Sequence, residues 1–164
     1  MQEETFISVI EVHKGLLYKV ANAYCKNKED RKDLIQEMIF QLWRSFENYN
    51  ADYRYSTWIY RIALNVAISF YRKNKNSSLI FPIENHLFDI HEPEPGLYNN
   101  DQLKLLNTFI AALKDLDKAL ILLYLEEKTY KEIAEIMGIS ETNVGTKIGR
   151  IKQLLKQKFN ANHE

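Results

Sequence analysis

The chain has 164 residues, of which 46% are apolar, and its 22 Lys and Arg residues balance 22 Asp and Glu residues. This composition supplies enough apolar surface for packed cores and excludes a disordered or fibrous protein. The longest apolar run spans only residues 119–125, whereas a helix needs about twenty apolar residues to cross a membrane. The single cysteine, Cys25, fits a reducing compartment. The sequence therefore predicts a cytoplasmic protein with no direct membrane insertion.

Glycine and proline are scarce, with five and three residues, which predicts a mostly helical chain because few positions interrupt a helix. The prolines all fall within residues 79–97, which carry four acidic and no basic side chains. This stretch lacks helical periodicity, so we interpret residues 77–99 as a flexible acidic linker. It separates residues 1–76 from residues 100–164, each near the lower size limit for an independent core. The predicted fold is all-α, with two small helical domains and a C-terminal helix-turn-helix.

The first two predicted helices each have one apolar stripe, and the second also has an unusual polar face. The stripe of the first helix runs from Phe6 to Val20 and is structural. The second helix, from about residue 31 to 46, is expected to bury Leu34, Ile35, Met38, Leu42 and Phe46. Its polar face places Asp33 and Glu37 beside the large rings of Phe40 and Trp43. Because two exposed aromatic rings are costly unless a partner covers them, this face predicts a protein-docking surface.

A loop from Asn48 to Tyr55 precedes the third helix, for which Ser56 is the expected N-cap. The spacing predicts that this helix runs to about Lys73 and buries a face formed by Ile59, Ile62, Ala63, Val66 and Phe70. A second line along the helix joins Trp58, Arg61, Asn65 and Arg72. Aromatic, cationic and amide side chains can stack on bases, hold phosphates and pair with base edges. This line therefore predicts a nucleic-acid surface.

The C-terminal segment has the pattern of a helix-turn-helix. A helix over residues 101–114 and another around Leu120 are expected to form a core, the first of them burying Leu103, Leu106, Ile110 and Leu113. Thr129 and Glu132 then form a capping box that opens a short helix, and Gly138 is placed to end it in the left-handed conformation. Ser140 begins the last helix, whose predicted buried line is Val144, Ile148, Ile151 and Leu155.

The last helix also concentrates positive charge. Against a single acid it carries five cations, Lys147, Arg150, Lys152, Lys156 and Lys158. The side opposite the buried line has short polar residues, among them Thr142, Asn143 and Thr146. Gly145 and Gly149 each cost roughly 1 kcal/mol in a helix interior relative to Ala, and close approach to a DNA groove would explain that cost. The pattern is typical of a recognition helix that enters duplex DNA.

Together these segments resemble an extracytoplasmic-function sigma factor of the bacterial sigma-70 family, over nearly the full length of the chain. The stretch DRKDLIQEMIFQLWRSFENY is similar to the family's polymerase-binding helix, and YSTWIYRIALNVAISFYRK is similar to its promoter-melting helix. The stretch YKEIAEIMGIS, followed by TNVGTKIGRIKQLLK, resembles its promoter-reading helix-turn-helix. Two separate motifs in the family's order are harder to reach by chance than either alone.

The resemblance implies that the chain binds core RNA polymerase and directs promoter-specific transcription initiation. The implied polymerase contacts are Asp33, Gln36, Glu37 and Phe40. The N-terminal domain would melt the minus-ten element and hold it as a single strand through Asp52, Arg54, Ser56, Trp58, Arg61, Asn65, Arg72 and Lys73. The loop from Asn50 to Ser56 matches the one that encloses a flipped base in the family. The C-terminal domain would read the duplex minus-thirty-five element through Thr142, Asn143, Thr146, Lys147, Arg150 and Lys152. An anti-sigma factor, membrane-anchored or not, is a further implied partner.

Two other interpretations stay open at this point. The first is a transcriptional regulator whose helix-turn-helix follows a helical sensor or interaction domain, in which case Arg61 and Asn65 would have no nucleic-acid role. The second is a helical adaptor that binds only proteins. An enzyme is not expected, because no nucleophile and base are grouped and no glycine loop could cradle a phosphate. No cofactor or metal is expected either, since the only conceivable ligands form a loose group in the linker, Glu84, His86, Asp89, His91 and Glu92.

Overall fold

A computed structural model of the protein describes residues 1–77 and 100–163. Its helices are α1 (Gln2–Tyr24), α2 (Lys28–Ser45), α3 (Tyr55–Ser77), α4 (Asn100–Ala111), α5 (Asp115–Leu125), α6 (Tyr130–Met137) and α7 (Glu141–Asn162). Within these residues there is also one 3-10 turn, Phe46–Asn48, and no β-strand, which confirms the all-α prediction. The helices form two compact units, α1 to α3 and α4 to α7. The predicted linker beyond residue 77, with its five conceivable metal ligands, lies outside the described residues.

The first unit packs α1, α2 and α3 against one another. Leu17 and Val20 of α1 are buried on the predicted stripe, and Cys25 is buried just after the helix. α2 begins earlier than predicted, at Lys28, because the Asn27 side chain caps it. The oxygen of that side chain accepts a hydrogen bond from the Asp30 backbone N–H at 2.7 Å, which satisfies one of the free donors at the helix start.

The buried face of α3 differs from the prediction by about a quarter of a turn. Ile59 and Ala63 are buried as expected, but Ile62, Val66 and Phe70 are only half-buried, so they form the edge of the buried face and not its centre. The remaining core positions are Tyr60, Leu64, Ala67 and Ile68. α3 packs against both α1 and α2, and a helix with two neighbours buries a wider arc than a single stripe. Tyr60 and Ala67 add little to an apolar pattern, and Leu64 and Ile68 lie to one side of the predicted stripe, so a single-stripe pattern indicated the wrong arc.

The start of α3 also corrects the sequence prediction. The helix begins at Tyr55, and the Trp58 backbone N–H donates to the Arg54 carbonyl oxygen at 3.2 Å. Ser56 therefore lies inside the first turn and is not the N-cap. The turn before the helix is closed by the Tyr53 backbone N–H, which donates to the Asn50 carbonyl oxygen at 3.2 Å.

In the second unit, α7 packs against α4, α5 and α6. It buries the predicted line of Val144, Ile148, Ile151 and Leu155. Ile110 and Leu113 are buried as predicted, and Leu106 is half-buried. Leu103 is 52% exposed, so its assignment to the core was wrong. Burial increases along α4 toward its C-terminal end, and Leu103 lies too close to the start of the helix to reach the core.

The helix-turn-helix forms as the sequence predicts. Thr129 Oγ1 accepts from the Glu132 backbone N–H at 3.1 Å, and the Glu132 carboxylate accepts from the Thr129 backbone N–H at 2.9 Å. These two bonds complete the capping box of α6. Gly138 ends α6 with φ 68°, a conformation that glycine adopts without strain. Ser140 Oγ caps α7 by accepting from the Asn143 backbone N–H at 3.1 Å.

The helices of the two described ranges were compared with the length and hydropathy of a membrane-spanning helix. None of their helices combines the length and hydropathy that a membrane span requires.

Candidate polymerase and nucleic-acid interfaces

The polar face of α2 is open to solvent. The four candidate polymerase contacts on this helix are all exposed, namely Asp33, Gln36, Glu37 and Phe40. The Phe40 ring is 53% exposed and lies under the Arg44 guanidinium, whose carbon is 5.7 Å from the ring centroid. Trp43 is 44% exposed, but its ring packs edge-to-face with the Phe6 ring at 5.1 Å between centroids. Two large rings beside two carboxylates thus face solvent, as the sequence predicted.

A cleft of about 750 Å³ separates this acidic face of α2 from α3. Its α2 wall includes Asp33 and Glu37, and its α3 wall includes Asn65 and Lys73. The half-buried side chains of Ile62, Val66 and Phe70, which the sequence placed in the core, also line it. The cleft therefore brings together residues that the sequence assigned to two different partners, polymerase and DNA. Sequence reasoning missed this juxtaposition because α2 and α3 were analysed as separate helices.

The outward line of α3 is exposed at its cationic and amide positions. Arg61, Asn65, Arg72 and Lys73 are all exposed, and they lie opposite the buried arc of the helix. Trp58 is only half-buried and is anchored on protein rings. Its ring contacts Phe46 at 6.0 Å and Tyr49 at 5.3 Å between centroids. Its predicted partners, unpaired bases, can therefore reach only the part of the ring that these contacts leave uncovered.

The loop before α3 encloses a second, more open concavity of about 500 Å³. Three candidate residues line it, Asp52, Arg54 and Ser56. His13 joins them from α1, and its Nδ1 is 2.8 Å from the Val9 carbonyl oxygen. Tyr49 and Tyr55, at the two ends of the loop, also line the concavity. The sequence prediction gave His13 and Tyr49 no role in this site and did not single out Tyr55 within the loop, although the spacing of Tyr49 and Tyr55 with the candidate Trp58 could have indicated a ring cluster.

The outward face of α7 carries short polar side chains. Thr142, Asn143, Thr146 and Arg150 are all exposed, and Lys147 is half-buried. Thr146 Oγ1 donates to the Thr142 carbonyl oxygen at 3.0 Å, so its hydroxyl is oriented along the helix. The only acid within α7 is Glu141, in its first turn. This face can approach a duplex groove without an opposing row of carboxylates on its own helix.

Lys152 differs from the other candidate DNA contacts on α7 because its side chain contacts a ring of its own unit. The Lys152 Nζ lies 4.1 Å above the centroid of the Tyr124 ring of α5, a favourable cation–π distance. Hydrogen bonding to Tyr124 raises the pKa of Lys152 above its ordinary value.

The two glycines of α7 differ in their surroundings. A methyl group added at Gly145 would meet the Tyr130 ring at 3.4 Å, whereas Gly149 faces open space. Of the two glycines, only Gly149 therefore lacks a packing partner within the unit.

Metal binding finds no support in the two described ranges. No three His, Cys, Asp or Glu side chains within them are close enough to hold an ion.

Comparison with known proteins assigns both units to one family. Residues 9–77 match Sigma-70 region 2, and residues 103–155 match Sigma-70, region 4. The chain is 28% identical to the ECF RNA polymerase sigma-E factor of Haemophilus influenzae, over 81% of this chain and 76% of that protein. It is 23% identical to the ECF RNA polymerase sigma factor SigW of Bacillus subtilis, over 96% of this chain and 90% of that protein. The chain belongs to the extracytoplasmic-function group of the sigma-70 family.

Solved structures of sigma factors share the fold of this family member. One is CnrH in complex with the cytosolic domain of CnrY, with a TM-score of 0.69 and 18% identity over 97% of this chain and 90% of that one. Another is the sigma factor RpoE in complex with the anti-sigma factor NepR from Bartonella quintana, with a TM-score of 0.74 and 16% identity over 96% of this chain and 98% of that one. Sigma factors of this group direct promoter-specific initiation of transcription, and this is the function of the chain. The alternatives of a regulator with a sensor domain and of a helical adaptor are not retained.

Proposed function

We propose that the two units divide promoter recognition between them as the family resemblance implies. Residues 1–76 bind core polymerase and the minus-ten element, residues 100–164 bind the minus-thirty-five element, and residues 77–99 connect them. The observation that supports this division best is the exposure of the candidate side chains. On each of α2, α3 and α7, most of the proposed contacts lie on the side that the packing of its own unit leaves in solvent.

The polymerase surface is formed by Asp33, Gln36, Glu37 and Phe40. Two carboxylates beside an exposed ring suit a partner with basic side chains around an apolar contact. No ion pair within the described residues involves Asp33 or Glu37. The Glu37 carboxylate accepts one hydrogen bond, from Gln41 Nε2 at 2.8 Å, and both acidic side chains are exposed to such a partner. Burial of the Phe40 ring would supply the apolar part of the binding free energy.

The two DNA surfaces suit different forms of DNA. On α3, Arg61, Arg72 and Lys73 would hold the backbone of an unpaired strand, while Asn65 pairs with a base edge and Trp58 offers a partial stacking surface. On α7, Thr142, Asn143, Thr146 and Arg150 would read base edges in the major groove of a duplex, and Lys147 would hold a phosphate. Lys152 is the weakest of these assignments, because its ammonium group already lies over the Tyr124 ring.

Three further properties follow from the same proposal. The protein has no catalytic role of its own, because it acts by binding polymerase and promoter DNA. It works in the cytoplasm, where both of these partners are found. It is held inactive by an anti-sigma factor, in keeping with the two sigma factors of the same fold that were solved in complex with CnrY and NepR.

Run-off transcription with purified core polymerase tests this proposal. Genomic fragments would be transcribed by core polymerase alone and by core polymerase with the protein. We expect transcripts with defined start sites only when the protein is present. A protein that binds the fragments but leaves core polymerase unable to start would contradict the proposal.

A further inference from the structure

Tyr49, just before the loop that joins the 3-10 turn to α3, contacts residues at the far end of that loop. The rings of Tyr49 and Tyr55, which flank the loop, are stacked with centroids 4.4 Å apart and planes 19° apart. The Tyr49 hydroxyl also donates a hydrogen bond to the Tyr53 backbone carbonyl oxygen. Tyr49 is therefore fixed to the loop by its ring and by its hydroxyl, and it joins the start of the loop to its last residues.

The cluster around Tyr49 extends into the helix bundle. The Tyr49 ring meets Trp58 edge-on at 5.3 Å, and Trp58 in turn contacts Phe46 at 6.0 Å. Phe46 packs edge-on against Phe6 of α1 at 5.2 Å. Since aromatic pairs of this geometry are favourable beyond their buried area, the series of rings ties the loop to α3 and α1, and the Phe6–Trp43 contact continues it to α2.

The other bonds of the loop are short-range. The Asp52 backbone N–H donates to Asn50 Oδ1 at 2.9 Å, and the Tyr53 backbone N–H donates to the Asn50 carbonyl oxygen at 3.2 Å. These bonds form a turn at the tip but do not attach the tip to the bundle. Without Tyr49, the tip would have to be ordered when a ligand enters, and ordering a loop on binding lowers affinity.

The Tyr49 hydroxyl remains protonated, as a hydrogen-bond donor must be. Partial burial raises the pKa of the Tyr49 hydroxyl above its ordinary value, and the neighbouring Tyr55 hydroxyl raises it further. The hydroxyl thus keeps its proton at physiological pH and can donate to the Tyr53 carbonyl oxygen throughout.

We propose that Tyr49 is a positioning residue that holds the loop of residues 50–54 in the shape that accepts an unstacked base of the minus-ten strand. Its ring fixes the two ends of the loop, and its hydroxyl fixes the backbone of Tyr53. This inference rests on the proposed function, because it concerns how the loop concavity is kept open for single-stranded DNA. Tyr49 itself lines that concavity, so a loss of its contacts would change the shape of the concavity directly.

Removal of the hydroxyl alone tests the inference. The probe is single-stranded DNA of about twelve nucleotides, selected by wild-type holoenzyme from a random pool, together with copies that have one abasic position each. Tyr49→Phe keeps the ring stack and removes the hydrogen bond, Tyr49→Leu removes both, and Tyr18→Phe removes an exposed hydroxyl from α1 as a control. Holoenzymes containing each variant would be compared by equilibrium binding.

We expect Tyr49→Phe to weaken binding of the intact probe by about two- to tenfold, the range that corresponds to one hydrogen bond. Tyr49→Leu should weaken it further, and Tyr18→Phe should match wild type. At the abasic position that occupies the loop, wild type and Tyr49→Phe should bind equally, because no base is left to be positioned. A merely structural role would weaken all probes alike and would lower the thermal midpoint of the free protein.

Besides that structural outcome, two further results would overturn the inference, and they differ in what else they affect. If wild type distinguishes intact from abasic probes but Tyr49→Phe binds the intact probe as wild type does, the positioning role of Tyr49 is wrong and the proposed function is untouched. If wild-type holoenzyme makes no distinction between intact and abasic probes at any position, the assignment of this loop to a minus-ten base is wrong as well.

Discussion

The helices α3 and α7 both carry polar faces that we propose to bind DNA, but their surroundings differ. On α3, Asn65 and Lys73 face a cleft whose other wall holds Asp33 and Glu37. On α7, the only acid is Glu141 in the first turn. A phosphate backbone near the cleft would meet carboxylates that repel it, whereas α7 presents no such row on its own helix. The α7 surface thus needs no partner to remove repulsion from DNA, whereas the α3 surface depends on a partner that covers Asp33 and Glu37.

This difference suggests an order of binding. Polymerase docked on α2 would cover Asp33 and Glu37, and the repulsion across the cleft would fall as its basic groups pair with them. The α3 surface would then accept a single strand more readily in the holoenzyme than in the free protein.

The largest effect should come from reversing the acidic wall. We expect Asp33→Lys with Glu37→Lys to abolish pull-down of core polymerase, because two attractive contacts become repulsive. Glu47→Lys, which reverses an exposed acid outside the cleft, should bind like wild type. Circular dichroism should show unchanged helix content in all variants. Pull-down that survives the double reversal would remove α2 from the polymerase surface.

Loss of a base contact on α3 should have the next largest effect. We expect Asn65→Ala to slow strand opening at a promoter by about tenfold, the size of one base contact to single-stranded DNA. A template with a pre-melted bubble should recover part of the rate, because the strand no longer has to be opened. Rates measured with a fluorescent base in the minus-ten element would decide this, and unchanged opening would make the α3 line an ordinary solvated face.

Neutralising the acidic wall should have a moderate effect in the opposite direction. We expect Asp33→Asn with Glu37→Gln to raise the affinity of the free protein for single-stranded DNA by about three- to tenfold at low salt, and the gain should shrink as salt screens the carboxylates.

Two controls separate this effect from a general change in charge. Glu47→Gln lies outside the cleft and should give no comparable gain in single-strand affinity. Glu141→Gln should leave duplex binding by α7 nearly unchanged. An equal gain from Glu47→Gln would mean that the cleft has no special role.

The smallest effect distinguishes two lysines on α7. We expect Lys147→Ala to lower the salt slope of duplex binding by about 1, as loss of one phosphate contact requires. Lys152→Ala should lower it by clearly less, because its Nζ lies 4.1 Å above the Tyr124 ring and is committed to α5. Titrations of duplex DNA at several salt concentrations would measure both slopes. Equal slopes would show that Lys152 leaves the ring to bind DNA.

Local patterns in the sequence were sufficient for the helix-turn-helix. The capping box of Thr129 and Glu132, the left-handed Gly138 and the buried line of α7 all form as predicted. Each of these features depends on residues within a few positions of one another, so sequence spacing contains the necessary information.

The α3 core face was predicted less well for the opposite reason. Its burial depends on two partner helices, and the positions of Tyr60, Leu64 and Ala67 between them cannot be derived from the period of one helix. Two other predictions were wrong for a similar reason. Ser56 is not the N-cap because α3 already begins at Tyr55, and Leu103 is not a core residue because it lies at the exposed end of α4.

Side-chain period and capping chemistry are local properties, so the all-α class, the helix-turn-helix and the residue types that face solvent on α2, α3 and α7 could all be predicted from the sequence. The positions of these residues relative to one another depend on the packing of the helices. This packing placed Asp33 and Glu37 across a cleft from Asn65 and Lys73, it brought His13 to the loop, and it held Lys152 over Tyr124. Each of these arrangements brings together residues that are distant in the sequence, and their geometry follows from how the helices pack.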